Sequence, residues 1–182
     1  MTSREPRSMK HRAARTLAFA VGMLQCLALP VIGDAEAQRE YNPIGTTGAT
    51  GSVTVVALGD DHLSLTFDQQ GVAFEDSAKG PFHNLSHRCV GFGHFVKGVG
   101  RYTGSCVHTD PEGDQYFEEF RSVEHRLGDR SFTGTSIFPA GKGKFAGMTG
   151  TCDWTSFGGS VRPTGTNAYQ AYSKWTCKLL LP

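Results

Sequence analysis

The chain has 182 residues, with 18 Lys+Arg against 17 Asp+Glu, 23 Gly, 12 Phe and five Cys. A basic first segment hides inside that near-neutral total: five of the cations (Arg4, Arg7, Lys10, Arg12 and Arg15) lie in the first fifteen residues. Without residues 1–37 the remaining 145 residues hold 18 − 5 = 13 bases and 17 − 3 = 14 acids, so no basic surplus is left to grip nucleic acid.

From Thr16 to Ile32 there is no charge, and Ala35-Glu36-Ala37 follows. A basic start, an apolar stretch and an A-x-A site read as a signal peptide over 1–37, cleaved after Ala37. The apolar run is short for a membrane span and is broken by Gly22, Gln25 and Pro30, so no span is expected after its removal. Cys26 follows Leu24-Gln25, a bulky context for lipid attachment, and leaves with the signal. Residues 38–50 are polar, contain Pro and Gly, show no periodicity, and read as a flexible leader.

From 51 to 182 short apolar or alternating runs are separated by turn signals. They fall at 52–58, 62–67, 71–74, 88–96, 99–108, 115–123, 131–138, 144–148, 152–157 and 169–180. No helical period appears. The pattern predicts an all-β domain, a single antiparallel β-barrel or sandwich, and its many glycines suit barrel bends.

Four cysteines remain, an even number in an exported chain, which suggests two disulfides. If Lys97-Gly98 is a two-residue hairpin turn, paired residues have numbers summing to 195, and Cys89 faces Cys106. A turn at Thr164-Gly165 gives 329, which pairs Cys152 with Cys177 and Trp154 with Trp175, two indoles expected to stack. The expected bridges are therefore Cys89–Cys106 and Cys152–Cys177.

The same register sorts side chains onto faces. Val90, Phe92, His94 and Val96 share one face with Val99, Arg101, Thr103, Ser105 and Val107. This is the more apolar face and the one expected to point inward. His94 would face Arg101 there, and the next strand would add Tyr116, Glu118 and Phe120. Phe92, His94, Arg101, Tyr116, Glu118 and Phe120 form the candidate ligand-binding set, with Glu118 and His94 as candidate catalytic acid or base for a mainly hydrophobic or aromatic ligand. Glu119 must point the other way.

His87 and His108 also sum to 195 and would sit opposite each other beyond the first bridge. They are weak candidates for a metal, with His83 or Glu119 as a third ligand. Asp110-x-Glu112-x-Asp114 lacks the Gly and the Glu of a calcium loop and reads as a turn. Gly141-Lys142-Gly143-Lys144 has no helix to follow it and is no phosphate loop. No cofactor and no metal are expected.

Arg88-Cys89-Val90-Gly91, Gly100-Arg101-Tyr102-Thr103-Gly104-Ser105-Cys106, Asp110-Pro111-Glu112-Gly113-Asp114 and the stretch from Gly141 to Gly150 together resemble exported bacterial proteins of the allene oxide cyclase barrel-like group. Plant dirigent proteins are more distant relatives, sharing a G-x-G-x-F-like element entering a late strand, here Gly141, Gly143 and Phe145. The resemblance spans about residues 50–180. It implies an eight-stranded antiparallel barrel with a central cavity, often a homo-oligomer, in the periplasm or secreted. No catalytic residue of those families has a matching position here. The expected function is binding of a small hydrophobic or aromatic ligand in the cavity. The alternatives are a cofactor-independent cyclase or isomerase, or a structural envelope-associated protein.

Overall fold

The computed structural model describes residues 38–158 and 165–182, so the segment 1–37 read as a signal peptide and Thr164 of the second expected turn lie outside the described residues. Ten strands form one sheet: β1 (Arg39–Tyr41), β2 (Ile44–Gly59), β3 (His62–Glu75), β4 (Leu85–Val96), β5 (Val99–Thr109), β6 (Gln115–Ser122), β7 (His125–Arg126), β8 (Ser131–Lys142), β9 (Thr149–Gly158) and β10 (Gly165–Leu181). Each main strand pairs antiparallel with its neighbour in the order β2-β3-β4-β5-β6-β8-β9-β10, and β10 returns to β2. The sheet closes into an eight-stranded barrel, which removes the exposed edges an open sheet would carry. β1 extends it against the end of β10, and β7 is a short branch on β5. Among the described residues no helix is long and apolar enough to cross a membrane.

Both hairpin registers follow the cysteine arithmetic. Val96 faces Val99, His94 faces Arg101, Cys89 faces Cys106 and His87 faces His108. Lys97 and Gly98 both take positive φ, 53° and 74°, as a turn matching the strand twist requires. Cys152 faces Cys177 and Trp154 faces Trp175. Both disulfides are formed.

Three local expectations are corrected. Residues 38–50 are not a flexible leader: 39–41 form β1, and 44–50 are the first half of β2, held between β3 and β10. Their Gly and Thr residues hid the strand because the small side chains leave room for rings from the neighbouring strands. The runs at 62–67 and 71–74 are one strand, β3, in which Gly71 sits opposite His87. Residues 143–145 form a 3-10 turn instead of opening a strand at 144, and Phe145 in it is fully buried.

Two apolar clusters fill the barrel from its ends. One gathers Phe82, Leu85, Phe145, Met148 and Leu179; the other gathers Val53, Val55, Leu65 and Phe95. Phe82 comes from the 76–84 connection and Phe145 from the 3-10 turn, and their rings pack 5.6 Å apart. A cavity touches both clusters.

Candidate functional site

The face expected to line the barrel is its outside. Val90, Phe92, Val96 and Val99 are 39–55% exposed. Arg101 is exposed as well and pairs with Glu124 at 2.8 Å, while His94 meets His62 on the outer wall, Nε2 to Nε2 at 2.5 Å. Phe92, His94 and Arg101 therefore leave the candidate site, and His94 leaves the catalytic candidates.

The physical reason lies in glycine. The true inner face of β4 carries His87, Cys89, Gly91, Gly93 and Phe95, and a face with two glycines scores as weakly apolar. Each glycine has an aromatic ring directly across the strand pair: Phe67 opposite Gly91, Tyr102 opposite Gly93, Phe120 opposite Gly104, Trp154 opposite Gly134 and Trp175 opposite Gly45. The rings lie over the bare backbone; a Cβ at Gly104 would sit 2.6 Å from Phe120 Cζ, and one at Gly93 2.7 Å from Tyr102 Cδ1. Ring faces replace the missing side chains, a recognised way of covering a glycine in a sheet. The two indoles consequently do not stack on each other. Trp154 leans over β8 and donates from Nε1 to Ser136 Oγ (3.0 Å), and Trp175 leans over β2 and donates to Thr47 Oγ1 (3.0 Å).

Tyr116, Glu118 and Phe120 do line the cavity, in the company of His87 and His108 instead of His94 and Arg101. Across the 110–114 turn, β6 pairs with β5 so that His108 faces Tyr116 and Cys106 faces Glu118. The cavity has a volume of about 190 Å³. On one side Tyr116 stacks on His108 (4.4 Å between centroids, 9° between planes), and His87 stands 5.5 Å from His108.

The β6–β8 pairing is irregular beside Glu118. The β6–β8 register slips by one residue between Phe117 and Glu119, opposite Phe138 and Pro139. Proline offers no N–H to the ladder, so the pairing yields there. Glu118 Oε2 lies 2.7 Å from His108 Nε2, and Oε1 accepts from Ser136 Oγ at 2.5 Å. Trp154, Ser136, Glu118 and His108 thus form one hydrogen-bonded chain ending at the cavity.

Burial works to raise the Glu118 carboxyl, but the His108 contact and the Ser136 hydroxyl outweigh it and hold the group below the ordinary range. Glu118 is therefore an anion at neutral pH whose two oxygens are both engaged. Burial, helped by the neighbouring His108, pushes His87 down to about 4, so His87 is neutral. It is 5% exposed, and neither ring nitrogen has a hydrogen-bond partner; the same holds for His108 Nδ1. Buried polar atoms in folded proteins are nearly always paired, so three orphans on neighbouring rings mark a place where something else supplies the partners.

The weak metal candidates His87 and His108 do face each other, but neither suggested third ligand joins them. Glu119 points outward from β6, and His83 lies against Phe74 and the Glu75 carbonyl. Cys106 approaches His108 and Glu118, but its sulfur is bonded to Cys89 and offers no thiolate. At the 110–114 turn, Lys144 Nζ pairs with both Asp110 and Glu112, so an ammonium occupies the place a calcium ion would take.

No family model matches the chain, and no curated protein matches it. Among solved structures the chain is similar to that of a pterocarpan synthase dirigent protein, at 12% identity with a TM-score of 0.45, over 78% of this chain and 92% of that one.

The sequence reading paired His87 with His108 but missed Ser136 and Trp154 and placed Glu118 with the wrong partners. One signal was present. The bridging cysteines, among the most buried residue types, lie on the same face as His87 and His108.

Proposed function

We propose that this chain is an exported barrel that binds a small, mainly aromatic molecule in its central cavity. The observation that carries the reading is the pair of orphan nitrogens on buried His87, a residue of a cavity whose wall includes the rings of Tyr116, Phe120 and Trp154. An apolar ligand fits the ring walls, and one polar group on it satisfies the imidazoles; sites of this kind combine apolar lining with a few placed polar groups. The size suits a single ring with short substituents, since an engineered cavity of about 150 Å³ takes benzene. A barrel that served only as a structural block would gain nothing from uncompensated buried nitrogens, which cost roughly 1–3 kcal/mol each. Export is supported by the basic, apolar and A-x-A pattern of residues 1–37 and by two disulfides in the domain that follows. Native mass spectrometry of protein purified gently from its own host tests the reading. A bound species of one-ring size is expected, and a protein that arrives empty and takes up no single-ring aromatic would contradict it.

A further inference from the structure

We propose that His62 and His94, on the outer wall of the barrel, chelate one divalent transition-metal ion of the copper(II) or zinc(II) kind. The site is apart from the cavity and does not depend on what the cavity holds. His62 opens β3, where it pairs with Gly59 and Val96; His94 is in β4, where it pairs with Ser64 and Arg101. The two are therefore diagonal neighbours across one antiparallel strand pair, on the same outward face. Their Nε2 atoms meet at 2.5 Å, with ring centroids 4.6 Å apart. Both backbones belong to hydrogen-bonded strands, which fix ligand positions more closely than loops do.

A hydrogen bond between the rings is a poor reason for this convergence. It uses one N–H and one lone pair, and two imidazoles at the surface gain little from it over water. A metal ion uses both Nε2 lone pairs, with the ring protons carried on the two Nδ1 atoms. Tetrahedral coordination at a Zn–N length of about 2.0–2.1 Å sets the nitrogens about 3.3 Å apart, so each ring withdraws by about 0.4 Å. Side chains at the surface have room for that rotation. Phe92 and Val96, which flank His94 on its face of β4, are 55% and 45% exposed and border the site with apolar surface. Arg101 stands opposite His94, but Glu124 already matches its charge at 2.8 Å.

The donor set selects the ion. Neutral imidazole suits copper, zinc and nickel, whereas calcium and magnesium want oxygen ligands. Copper(II) should bind tightest, by the general order of affinities among first-row divalent ions. Two protein ligands leave the remaining positions to water, so the ion is exchangeable and open to a further ligand. The pair was hidden in the sequence because β3 and β4 are joined by the long 76–84 connection, and no short turn fixes their register.

Isothermal titration of the protein, purified without a histidine tag, with copper(II) chloride and with zinc chloride tests the site. Each metal should bind in a saturable phase of one ion per chain. His62→Gln and His94→Gln should each weaken that phase at least about tenfold, since one of two chelating imidazoles is gone. Electron paramagnetic resonance of the copper(II) form should show two nitrogen ligands in the unsubstituted protein and fewer in either variant. His87→Leu, on the inner wall, should leave the affinity unchanged. No saturable binding of either metal would overturn the proposal, and so would an affinity unchanged in both outer variants. Binding lost in His87→Leu and kept in both outer variants would move the ion to the inner histidine pair and overturn it as well. Circular dichroism checks that each variant folds, and the two outer variants decide the matter even if His87→Leu does not.

Discussion

His87 is the residue whose burial has the most measurable consequence. Its folded pKa of about 4 lies below the ordinary value of 6.5, with burial as the main cause and the His108 ring as the second, while Glu118 pulls the other way. Between pH 6.5 and 4 the unfolded chain takes up a proton that the folded one refuses, so stability falls as pH falls through that window. The shift corresponds to roughly 3 kcal/mol. Urea unfolding at pH 7 and pH 4.5 should show a loss of that order, and His87→Leu should remove most of it. An unchanged loss in the variant would mean that other groups carry the acid sensitivity. Glu118 has the same sign by the opposite route: a carboxyl held low in the folded state contributes stability above its unfolded pKa and loses it as pH falls through the folded one. Its contribution starts to be lost near the ordinary value of 4.5, at the acid end of the His87 window, so the two losses add as pH falls.

Strand against strand, the recurring device is glycine facing a ring. Because the Phe120 ring occupies the space over Gly104, Gly104→Ala should force the ring or the backbone to shift and cost about 1–3 kcal/mol, measured by urea unfolding. The Val90 carbonyl lies still closer, so the ring alone cannot relieve the clash, and a cost below about 0.5 kcal/mol would contradict this packing. The two bridges close loops of 17 and 25 residues, and replacing either pair by alanine should cost about 3 kcal/mol by chain entropy. The same elements show what the sequence made legible. Cysteine spacing and one turn set the β4–β5 register to the residue, because antiparallel pairing is arithmetic once the turn is known. The inward face was misread because hydrophobicity belongs to side chains, and at Gly91, Gly93 and Gly104 the buried surface is a ring lent by the neighbouring strand. The start of β2 was missed for the related reason that Gly45, Gly48 and Gly51 carry no apolar signal of their own.

At the scale of the whole molecule, a closed barrel converts face assignment into function: what points in can meet a ligand held in the cavity, and what points out cannot. Half of the expected ligand set, Tyr116, Glu118 and Phe120, points in, and the other half, Phe92, His94 and Arg101, points out. The inner group was legible only in pieces, since Ser136 reaches Glu118 from β8, and no turn arithmetic fixes that pairing. The central claim is that the cavity is the binding site, and it is tested by placing bulk inside it. Ser173 lines the cavity, so Ser173→Phe fills it, whereas Phe92→Ala alters only the outer wall. Binding of 4-nitroanisole, read by quenching of Trp154 and Trp175, should saturate in the unsubstituted protein, persist in Phe92→Ala and weaken at least tenfold in Ser173→Phe, with circular dichroism confirming that each folds. Binding retained in a folded Ser173→Phe protein and lost in Phe92→Ala would place the site on the outer wall and contradict the account.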